Sequence, residues 1–378
     1  MHALIAVLPG DGVGSEVTAQ AMRVLKDVAE RRDHAFEFRD ALIGGIAIDE
    51  TGEPLPVVTR NLVKLADAVL LGAVGGPKWS DPAATVRPEQ GLLGLRALLG
   101  VYANIRPVTV HPALASAAPL KPERLRDVDI LFVRELTGGL YFGEKTHDRT
   151  ASGASTRASD LCVYTAEEVE RVVRMAAGIA RGRRGRLLSV DKANVLATSR
   201  LWREVTTRVM RDEFPDVAIA HALVDSFAMQ LIMAPSSFDV VVTENLFGDI
   251  LTDEAAVLAG SIGVLPSASL GDASTSGLRR GLYEPIHGSA PDIAGKGIAN
   301  PAGAILSAAL LLRHSLGLDD DAAAVEAAVS DAISAGFRTA DCVAPEEAAC
   351  STAAFGDAVL ERLHRHSGVL AQRGPGPM

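Results

Sequence analysis

Apolar positions along the chain follow two periodicities that alternate. Continuous apolar runs at 4–9 (LIAVLP) and 68–76 (AVLLGAVGG) predict buried β-strands, because strands covered on both faces lose the polar alternation of half-exposed ones. Helical spacing predicts helices from about Ser15 to Arg32 and from about Pro56 to Leu65, with a strand-like segment at 36–42 between them. Strands that alternate with helices from the first residues predict an α/β fold.

A second set of strand-like runs predicts a sheet that helices cover on both faces. These runs lie at 103–110, 127–136, 185–192, 217–225 and 238–246. The accompanying helical patterns lie at about Ala166–Gly182, Ser199–Phe214, Gly303–Leu316, Ala322–Gly336 and Thr352–His366.

Two segments follow neither periodicity. Asp148–Asp160 (DRTASGASTRASD) is polar and rich in glycine and serine, so we expect an exposed loop or arm there. From about Gly260 to Pro301 the chain is rich in glycine, proline and serine and is too long for one element. Loops of such length are usually functional, which makes this segment a candidate binding region.

Composition and charge exclude several classes of protein. The chain has 378 residues, 48% hydrophobic and 22% charged, which is typical of a folded protein of two or three domains or one two-lobed body. The net charge of −10 disfavours binding to nucleic acid or to an anionic membrane, so an anionic ligand requires local cations. The longest apolar stretch, Ala302–Leu312, is too short to span a bilayer. We therefore expect neither a nucleic-acid nor a membrane partner.

The three cysteines indicate a reducing compartment. Cys162, Cys342 and Cys350 are odd in number and lack the spacing of a disulfide framework or a zinc site. No export signal is apparent at the N-terminus, where the apolar run is short and turn residues follow it at once. Together these features predict a cytoplasmic protein.

A glycine motif follows the first predicted strand. Gly10-Asp11-Gly12-Val13-Gly14 lies where a dinucleotide fingerprint is found, but its spacing is G-x-G-x-G instead of G-x-G-x-x-G. One interpretation is a backbone that approaches a nucleotide or substrate. The favoured alternative is a tight strand-to-helix turn with Ser15 as the N-cap.

A pair of aspartates is a candidate metal site. Asp249 and Asp253 stand four residues apart on a predicted helix, so both carboxylates lie on one face. Oxygen ligands without nearby histidine or cysteine favour Mg²⁺ or Mn²⁺ over zinc. Asp225, which closes another strand-like run, could supply a third carboxylate. For the pair alone, a solvated acidic face is the more common alternative.

Three arginines are candidates for binding a dicarboxylate. Arg96, Arg106 and Arg134 lie at the ends of apolar segments, and guanidinium groups bind carboxylates in bidentate fashion. Tyr141 and Lys192 are of the right type to act as an acid and a base. Taken singly, each of these residues is more often an ion-pair, packing or solvated side chain.

The glycine-rich segment from Glu284 to Asn300 could surround an adenosine. Asp292 would accept hydrogen bonds from the ribose hydroxyls, as acidic residues do in NAD sites. A long structural loop is the equally frequent alternative.

Taken together, these motifs resemble the 3-isopropylmalate dehydrogenases, members of the metal-dependent β-decarboxylating dehydrogenases that include isocitrate dehydrogenase. The resemblance rests on PGDGVGSEV, GLLGLR, ANIRP, RELTGGLYFGE, SVDKANV, TENLFGDILTDEAA, LPSASLG and EPIHGSAPDIAGKGIANP, which occur in the family's order and spacing. It implies a two-domain α/β fold of the isocitrate/isopropylmalate dehydrogenase type, with a sheet spanning both domains and no Rossmann unit.

The resemblance also implies a domain division and an assembly. The first domain would comprise 1–101 and 260–378 and carry most of the NAD site. The second, 102–259, would carry the metal and substrate residues, the dimer interface and an arm near 143–165. The family works as a homodimer, with Lys192 and Asp225 completing the neighbouring subunit's active site.

The implied reaction is NAD-dependent oxidative decarboxylation of (2R,3S)-3-isopropylmalate to 4-methyl-2-oxopentanoate and CO₂ in leucine biosynthesis, with Mg²⁺ or Mn²⁺. In that reaction Lys192 accepts the hydroxyl proton and Tyr141 protonates the carbon that loses CO₂. The other implied site residues are Arg96, Arg106, Arg134, Asp225, Glu89, Leu92 and Leu93 for substrate, Asp225, Asp249 and Asp253 for metal, and Glu284, His287, Gly288, Ser289, Ala290, Asp292 and Asn300 for NAD.

Substrate and cofactor choice follow from local differences within the family. Isocitrate-using relatives place Ser and Asn where this chain has Gln90 and Leu92, so an apolar pocket for the isopropyl group is expected here. D-malate, tartrate and homoisocitrate dehydrogenases of the same family are the alternatives. Asp292 favours NAD over NADP, because a carboxylate repels a 2′-phosphate.

Overall fold

The chain forms two compact units in the computed structural model, which describes residues 1–81, 84–344 and 346–370, the side chains of 366–370 excepted. Unit 1 comprises Met1–Val101, His111–Pro119 and the chain from Ala259 on, and unit 2 comprises Tyr102–Val110 and Leu120–Leu258. Each unit thus draws on segments that are distant in sequence.

The described strands lie in unit 1 or in unit 2, and two strands of unit 2, the sixth and seventh in the chain, form a two-stranded sheet of their own. In chain order they are β1 (His2–Gly10), β2 (Ala35–Asp40), β3 (Ala68–Ala73), β4 (Ala103–Thr109), β5 (Asp129–Glu135), β6 (Lys145–Arg149), β7 (Ser155–Asp160), β8 (Arg186–Asp191), β9 (Ala218–Leu223), β10 (Val240–Thr243), β11 (Pro266–Ala273) and β12 (Arg279–Pro285).

The α-helices alternate with these strands as the sequence predicts. They are α1 (Gly14–Arg31), α2 (Gly45–Thr51), α3 (Val57–Leu65), α4 (Pro88–Leu99), α5 (Pro122–Leu125), α6 (Ala166–Arg181), α7 (Ala197–Glu213), α8 (Val224–Met233), α9 (Asn245–Ala256), α10 (Ala302–His314), α11 (Asp319–Ser334) and α12 (Thr352–Leu370). The predicted α/β class is confirmed.

Unit 1 is built on a mixed sheet with the strand order β2-β1-β3-β12-β11. β1 is parallel to β2 and β3, β12 is parallel to β3, and β11 and β12 form an antiparallel pair. This order differs from the Rossmann arrangement, as expected. On one face, Leu8, Leu71 and Leu282 form a core with Leu95 of α4, which fixes the helix that carries Arg96.

In unit 2 the strand order is β4-β5-β10-β8-β9, with β4 antiparallel to β5 and the remaining pairs parallel. Thr243 of β10 pairs in register with Arg134 of β5 and with Val190 of β8. Polar residues therefore emerge together at the carboxyl ends of these three strands, where α/β proteins place their ligands.

The structure corrects three details of the sequence interpretation. The segment from Gly260 to Pro301 is not one loop, because β11 and β12 form a hairpin within it and the loop proper begins at Ile286. Helix α1 has Val13 at its N-cap without a side-chain hydrogen bond, so the prediction that Ser15 caps it was wrong. Asp225 does not close a strand but lies in the first turn of α8.

The segment predicted as an exposed loop or arm is a β-hairpin. β6 and β7 pair in antiparallel fashion, and all their residues are exposed. Among the helices that the structure describes, none has the length and apolarity needed to cross a bilayer.

Candidate active site

Arg134 is the second-last residue of strand β5 and is almost fully buried. Its Nε and Nη2 groups donate to Oδ1 of Asn245 at 3.2 and 2.8 Å, and its Nη1 group donates to Oδ1 of Asp249. Because one amide oxygen accepts both bonds, the plane of the guanidinium is fixed. Its charge, in a low-dielectric environment, is suited to binding a carboxylate.

Tyr141 lies in a short 3₁₀ turn after β5, beside the same aspartate. Its hydroxyl donates to Oδ2 of Asp249 at 2.7 Å, and its ring lies 5.7 Å from the Arg134 guanidinium. Burial and the nearby Asp249 carboxylate raise the pKa of Tyr141 to about 12. The phenol is therefore protonated at neutral pH and able to donate a proton.

The turn that carries Tyr141 is held from three sides. Glu135, fully buried, accepts from the Thr137 amide and hydroxyl at 2.7 and 2.6 Å and from the Gly138 amide at 2.8 Å. Burial raises the pKa of Glu135 although these bonds oppose the change. Asn245 donates to the Gly138 carbonyl at 3.2 Å. The Tyr164 ring lies where a Cβ at Gly138 would be placed, 2.5 Å away, so only glycine fits there.

Arg106 on β4 occupies a second buried arginine site. It donates to Oδ1 of Asn104 at 2.7 Å and to the Thr252 hydroxyl at 2.6 Å, and it lies 3.4 Å from Asp253. The guanidinium is thereby oriented by neutral partners and by an exposed carboxylate.

Asp249 and Asp253 lie one turn apart on α9, as predicted. Burial opposes ionisation of Asp249, but Arg134 and the Tyr141 hydroxyl outweigh it and lower its pKa. Two hard, oxygen-bearing side chains on one face fit a divalent cation. Within one chain, the described residues contain no group of three His, Cys, Asp or Glu side chains close enough to hold a metal, so Asp225 does not complete this pair in the single chain.

Lys192 and Asp225 form a separate pair in unit 2. Lys192 Nζ lies 2.5 Å from Oδ1 of Asp225, and hydrogen bonding to the lysine lowers the pKa of that carboxyl. Both follow adjacent strands, β8 and β9. The two residues that the resemblance assigns to a neighbouring subunit's active site thus form an ion pair with each other in this chain.

In unit 1, Arg96 forms a buried ion pair with Glu284 of β12 at 3.0 Å. Among the described residues the buried Nε of Arg96 has no hydrogen-bond partner, which fits an anionic ligand at this guanidinium. Glu89 is exposed and Leu93 partly buried on the same helix, whereas Leu92 packs against the unit 1 core.

The loop from Ile286 to Asn300 presents several polar groups. Nδ1 of His287 donates to the Gly288 carbonyl at 2.8 Å, and its buried Nε2 has no partner among the described residues. Burial lowers the pKa of His287, so the ring is neutral at pH 7. Asn300 donates to Asp341 at 3.0 Å, and Ala290 has a φ of 38°. An unpaired buried nitrogen and a strained backbone fit a bound ligand such as a nucleotide.

The predicted loop residues otherwise differ in exposure. Ser289 and Asn300 are buried, Ala290 is partly buried, and Gly288 and Asp292 are exposed. Asp292 therefore has room to accept from a ligand.

The glycine motif is a tight turn that contacts this loop. A Cβ on Gly12 would lie 1.9 Å from the Ser289 carbonyl oxygen, and the Val13 amide donates to that oxygen at 2.8 Å. Asp11 accepts from the amides of Gly45, Ile46 and Gly75 at 2.7–2.8 Å. Hydrogen bonds of the motif thus hold the surrounding loops in position.

Sequence reasoning missed the residues that orient the others. Asn245, Glu135, Asn104 and Thr252 hold arginines and the Tyr141 turn through buried side-chain bonds, and the Tyr164 ring packs against Gly138 of that turn. Asn245 and Thr252 stand within TENLFGDILTDEAA, so proximity to the aspartates was an available signal. For Tyr164, far from any motif in the chain, no such signal existed.

Comparison with known proteins identifies relatives over nearly the whole chain. A family model described as isocitrate/isopropylmalate dehydrogenase matches residues 4–359. A 3-isopropylmalate dehydrogenase of Anaeromyxobacter dehalogenans is 59% identical over 96% of this chain and 100% of its own length. One of Rhodopirellula baltica is 56% identical over 96% of this chain and 99% of its own length.

Solved structures agree on the fold. An isocitrate dehydrogenase of Methylococcus capsulatus is 33% identical, with a TM-score of 0.84 over 96% of this chain and 99% of its own. A β-decarboxylating dehydrogenase of Thermococcus kodakarensis is 36% identical, with a TM-score of 0.76 over 100% of this chain and 99% of its own.

Proposed function

The chain belongs to the isocitrate/isopropylmalate dehydrogenase family, and from that premise we propose that it oxidises and decarboxylates (2R,3S)-3-isopropylmalate to 4-methyl-2-oxopentanoate and CO₂ in leucine biosynthesis. The observation that carries this proposal is 59% identity over the full length of a 3-isopropylmalate dehydrogenase. A family dehydrogenase of this type uses a nicotinamide cofactor and a divalent metal, and we propose NAD⁺ with Mg²⁺ or Mn²⁺.

The proposed roles follow from the contacts described above. Arg106 and Arg134, buried and oriented by Thr252 and Asn245, bind the malate carboxylates together with Arg96. Tyr141, protonated at neutral pH, donates a proton to the carbon from which CO₂ departs. Lys192 accepts the proton of the C2 hydroxyl.

We assign residues of this chain to the binding of NAD⁺ and of the divalent cation. NAD⁺ would be held by Glu284, His287, Gly288, Ser289, Ala290, Asp292 and Asn300, and the cation by Asp249, Asp253 and Asp225 of the partner subunit. When bound, NAD⁺ accepts the C2 hydride and the cation stabilises negative charge on the C2 oxygen. The oxygen-only donor set of the aspartates supports Mg²⁺ or Mn²⁺, and the orphaned Nε2 of His287 supports a ligand at the loop.

We propose that the protein is a homodimer whose subunits share residues of their active sites. We also propose that it is located in the cytoplasm. Helices α8 and α9 expose large apolar side chains, with Met229, Met233 and Ile250 about 60% exposed. Exposed apolar residues at helical spacing favour contact with another chain, and a second copy would bring Lys192 and Asp225 to the aspartate pair. The three free cysteines support a reducing compartment.

The proposed specificity rests on the first turns of α4. Leu93, partly buried on the same helix as Arg96, supports an apolar pocket for the isopropyl group. Burying its three carbons is worth about 2.4 kcal/mol, or roughly 50-fold over malate. D-malate, tartrate and homoisocitrate are the less favoured substrates.

Formation of NADH or NADPH by the purified full-length protein tests this proposal. Mg²⁺ is supplied, and 3-isopropylmalate, D-malate, isocitrate and tartrate are offered in parallel with NAD⁺ and with NADP⁺. We expect 3-isopropylmalate with NAD⁺ to be used at least about tenfold better than the others and EDTA to stop turnover. A faster rate with D-malate or tartrate would refute the proposed pocket.

A further inference from the structure

Glu16, in the first turn of α1, binds the backbone of the loop that follows β12. Its Oε1 accepts from the Gly295 amide at 2.5 Å and its Oε2 accepts from the Gly297 amide at 2.9 Å. One carboxylate thus spans two residues of the loop, and a charged acceptor makes both bonds stronger than neutral ones.

The two glycines have a backbone conformation that needs such support. Gly295 and Gly297 have φ values of 77° and 65°, in the left-handed region. A Cβ at either position would meet no atom within 4 Å, so glycine is required there by conformation and not by space. Glycine loses more conformational freedom on ordering than other residues, so this turn depends on contacts that fix it.

The turn separates two residues proposed to hold the adenosine. Asp292 lies three residues before Gly295, and Asn300 lies three residues after Gly297. On the far side, Thr352 donates from its amide to the Gly297 carbonyl at 2.9 Å and from its hydroxyl to the Ala299 carbonyl at 2.6 Å. The loop is therefore held between α1 and α12, and Glu16 supplies a charged contact on the α1 side.

We propose that Glu16 is a positioning residue that holds the loop in its cofactor-binding shape before the dinucleotide arrives. This inference rests on the proposed binding of NAD⁺ to the same loop. Because an ordered loop binds without a further entropic cost, Glu16 controls affinity for the dinucleotide. It touches none of the groups proposed to bind the substrate carboxylates or to transfer protons, so substrate affinity and chemistry are spared.

Steady-state kinetics of Glu16→Ala test this role. We expect the KM for NAD⁺ to rise about tenfold or more, since two charge-assisted bonds are lost, while kcat and the KM for 3-isopropylmalate change by less than about twofold. Glu16→Gln keeps one oxygen acceptor and should give an intermediate KM. Glu30→Ala, an exposed glutamate at the other end of α1, is the matched control and should leave all three constants unchanged.

Hydrogen exchange of the cofactor-free protein separates this inference from the proposed function. We expect amides at 293–299 to exchange faster in Glu16→Ala than in the wild type, with thermal unfolding showing that the fold is retained. Unchanged exchange would overturn the inference and leave the NAD⁺ site standing. Faster exchange with an unchanged KM for NAD⁺ would also overturn the inference, because the order that Glu16 gives the loop would then not control affinity for NAD⁺. Failure of the proposed function would show instead as a wild type without NAD⁺-dependent turnover of 3-isopropylmalate.

Discussion

The hydroxyl of Tyr141 donates a 2.7 Å hydrogen bond to Asp249, which joins the proposed proton donor to a proposed metal ligand. Without a cation, burial and the negative charge of Asp249 raise the pKa of the phenol to about 12. A divalent cation on the same carboxylate would lower the pKa of Tyr141, since it offsets that charge. Metal loading and proton donation are therefore coupled through one side chain.

Replacing Tyr141 by phenylalanine tests the proton-donating role. We expect kcat for 3-isopropylmalate to fall by roughly 10²–10⁴-fold, because general acid catalysis is lost. The KM should change little, since the arginines that bind the carboxylates keep their partners. Steady-state NADH formation measures both constants, and a kcat within a few-fold of wild type would exclude Tyr141 as the donor.

Asp249→Asn tests the metal assignment. Loss of one carboxylate ligand should weaken Mg²⁺ activation by roughly 100-fold or more, because an amide oxygen is a poorer ligand for a hard cation. The fold should persist, since the asparagine oxygen can still accept from Arg134 while its amide group donates to the Tyr141 hydroxyl oxygen. Activity is measured against Mg²⁺ concentration, and thermal unfolding controls for stability. An unaltered Mg²⁺ dependence would contradict the assignment.

Leu93→Ala and Leu92→Ala separate specificity from packing on α4. Leu93→Ala should lower kcat/KM for 3-isopropylmalate by up to about 50-fold while sparing malate, because three pocket carbons are lost. Leu92 packs against the unit 1 core, so Leu92→Ala should also destabilise the protein by about 1–3 kcal/mol. Parallel kinetics and denaturant unfolding distinguish the two effects. Equal losses on both substrates in Leu93→Ala would refute the pocket.

Sequence periodicity predicts the elements well where apolar runs are long. The helices ending near Leu65, Arg181 and Ser334 lie within a few residues of their predicted bounds. The β11–β12 hairpin was missed because its glycines and serines interrupt the apolar run, although Ser267, Ala268 and Leu270 are buried and pair with β12. Long-range pairing, and not local propensity, decides that segment.

The candidate site likewise contains residues that the sequence predicts and residues that only long-range pairing brings together. Asp249 and Asp253 could be placed on one helix face from spacing alone, since four residues make about one turn. By contrast, Asn245 contacts Arg134 across 111 positions of the chain, and only the register of β5 with β10 brings them together. Residues that orient other residues are therefore the part that the sequence predicts least.

His314, at the end of α10, predicts a pH dependence of stability. Burial, together with the charges of Arg313 and Arg279, lowers its pKa to about 4. Below about pH 6.5 the unfolded chain binds a proton that the folded one excludes, so stability falls as the pH drops towards 4, by at most about 3 kcal/mol. His314→Gln should reduce this loss in denaturant unfolding at pH 7 and pH 5. His147→Gln, on the exposed hairpin, is the control; if both variants behave alike, His314 is not responsible.

Mixing two variants, at a Mg²⁺ concentration too low to activate Asp249→Asn, tests whether active sites are shared between subunits. Lys192→Ala removes a residue proposed to serve the neighbouring site, and Asp249→Asn removes one that serves its own. In a mixed dimer, one site then carries both changes and the other carries neither. Refolding an equal mixture should restore about a quarter of wild-type activity, because half of the dimers are mixed and each has one intact site. If both residues served the same chain's site, every site would carry a change and the mixture would stay inactive.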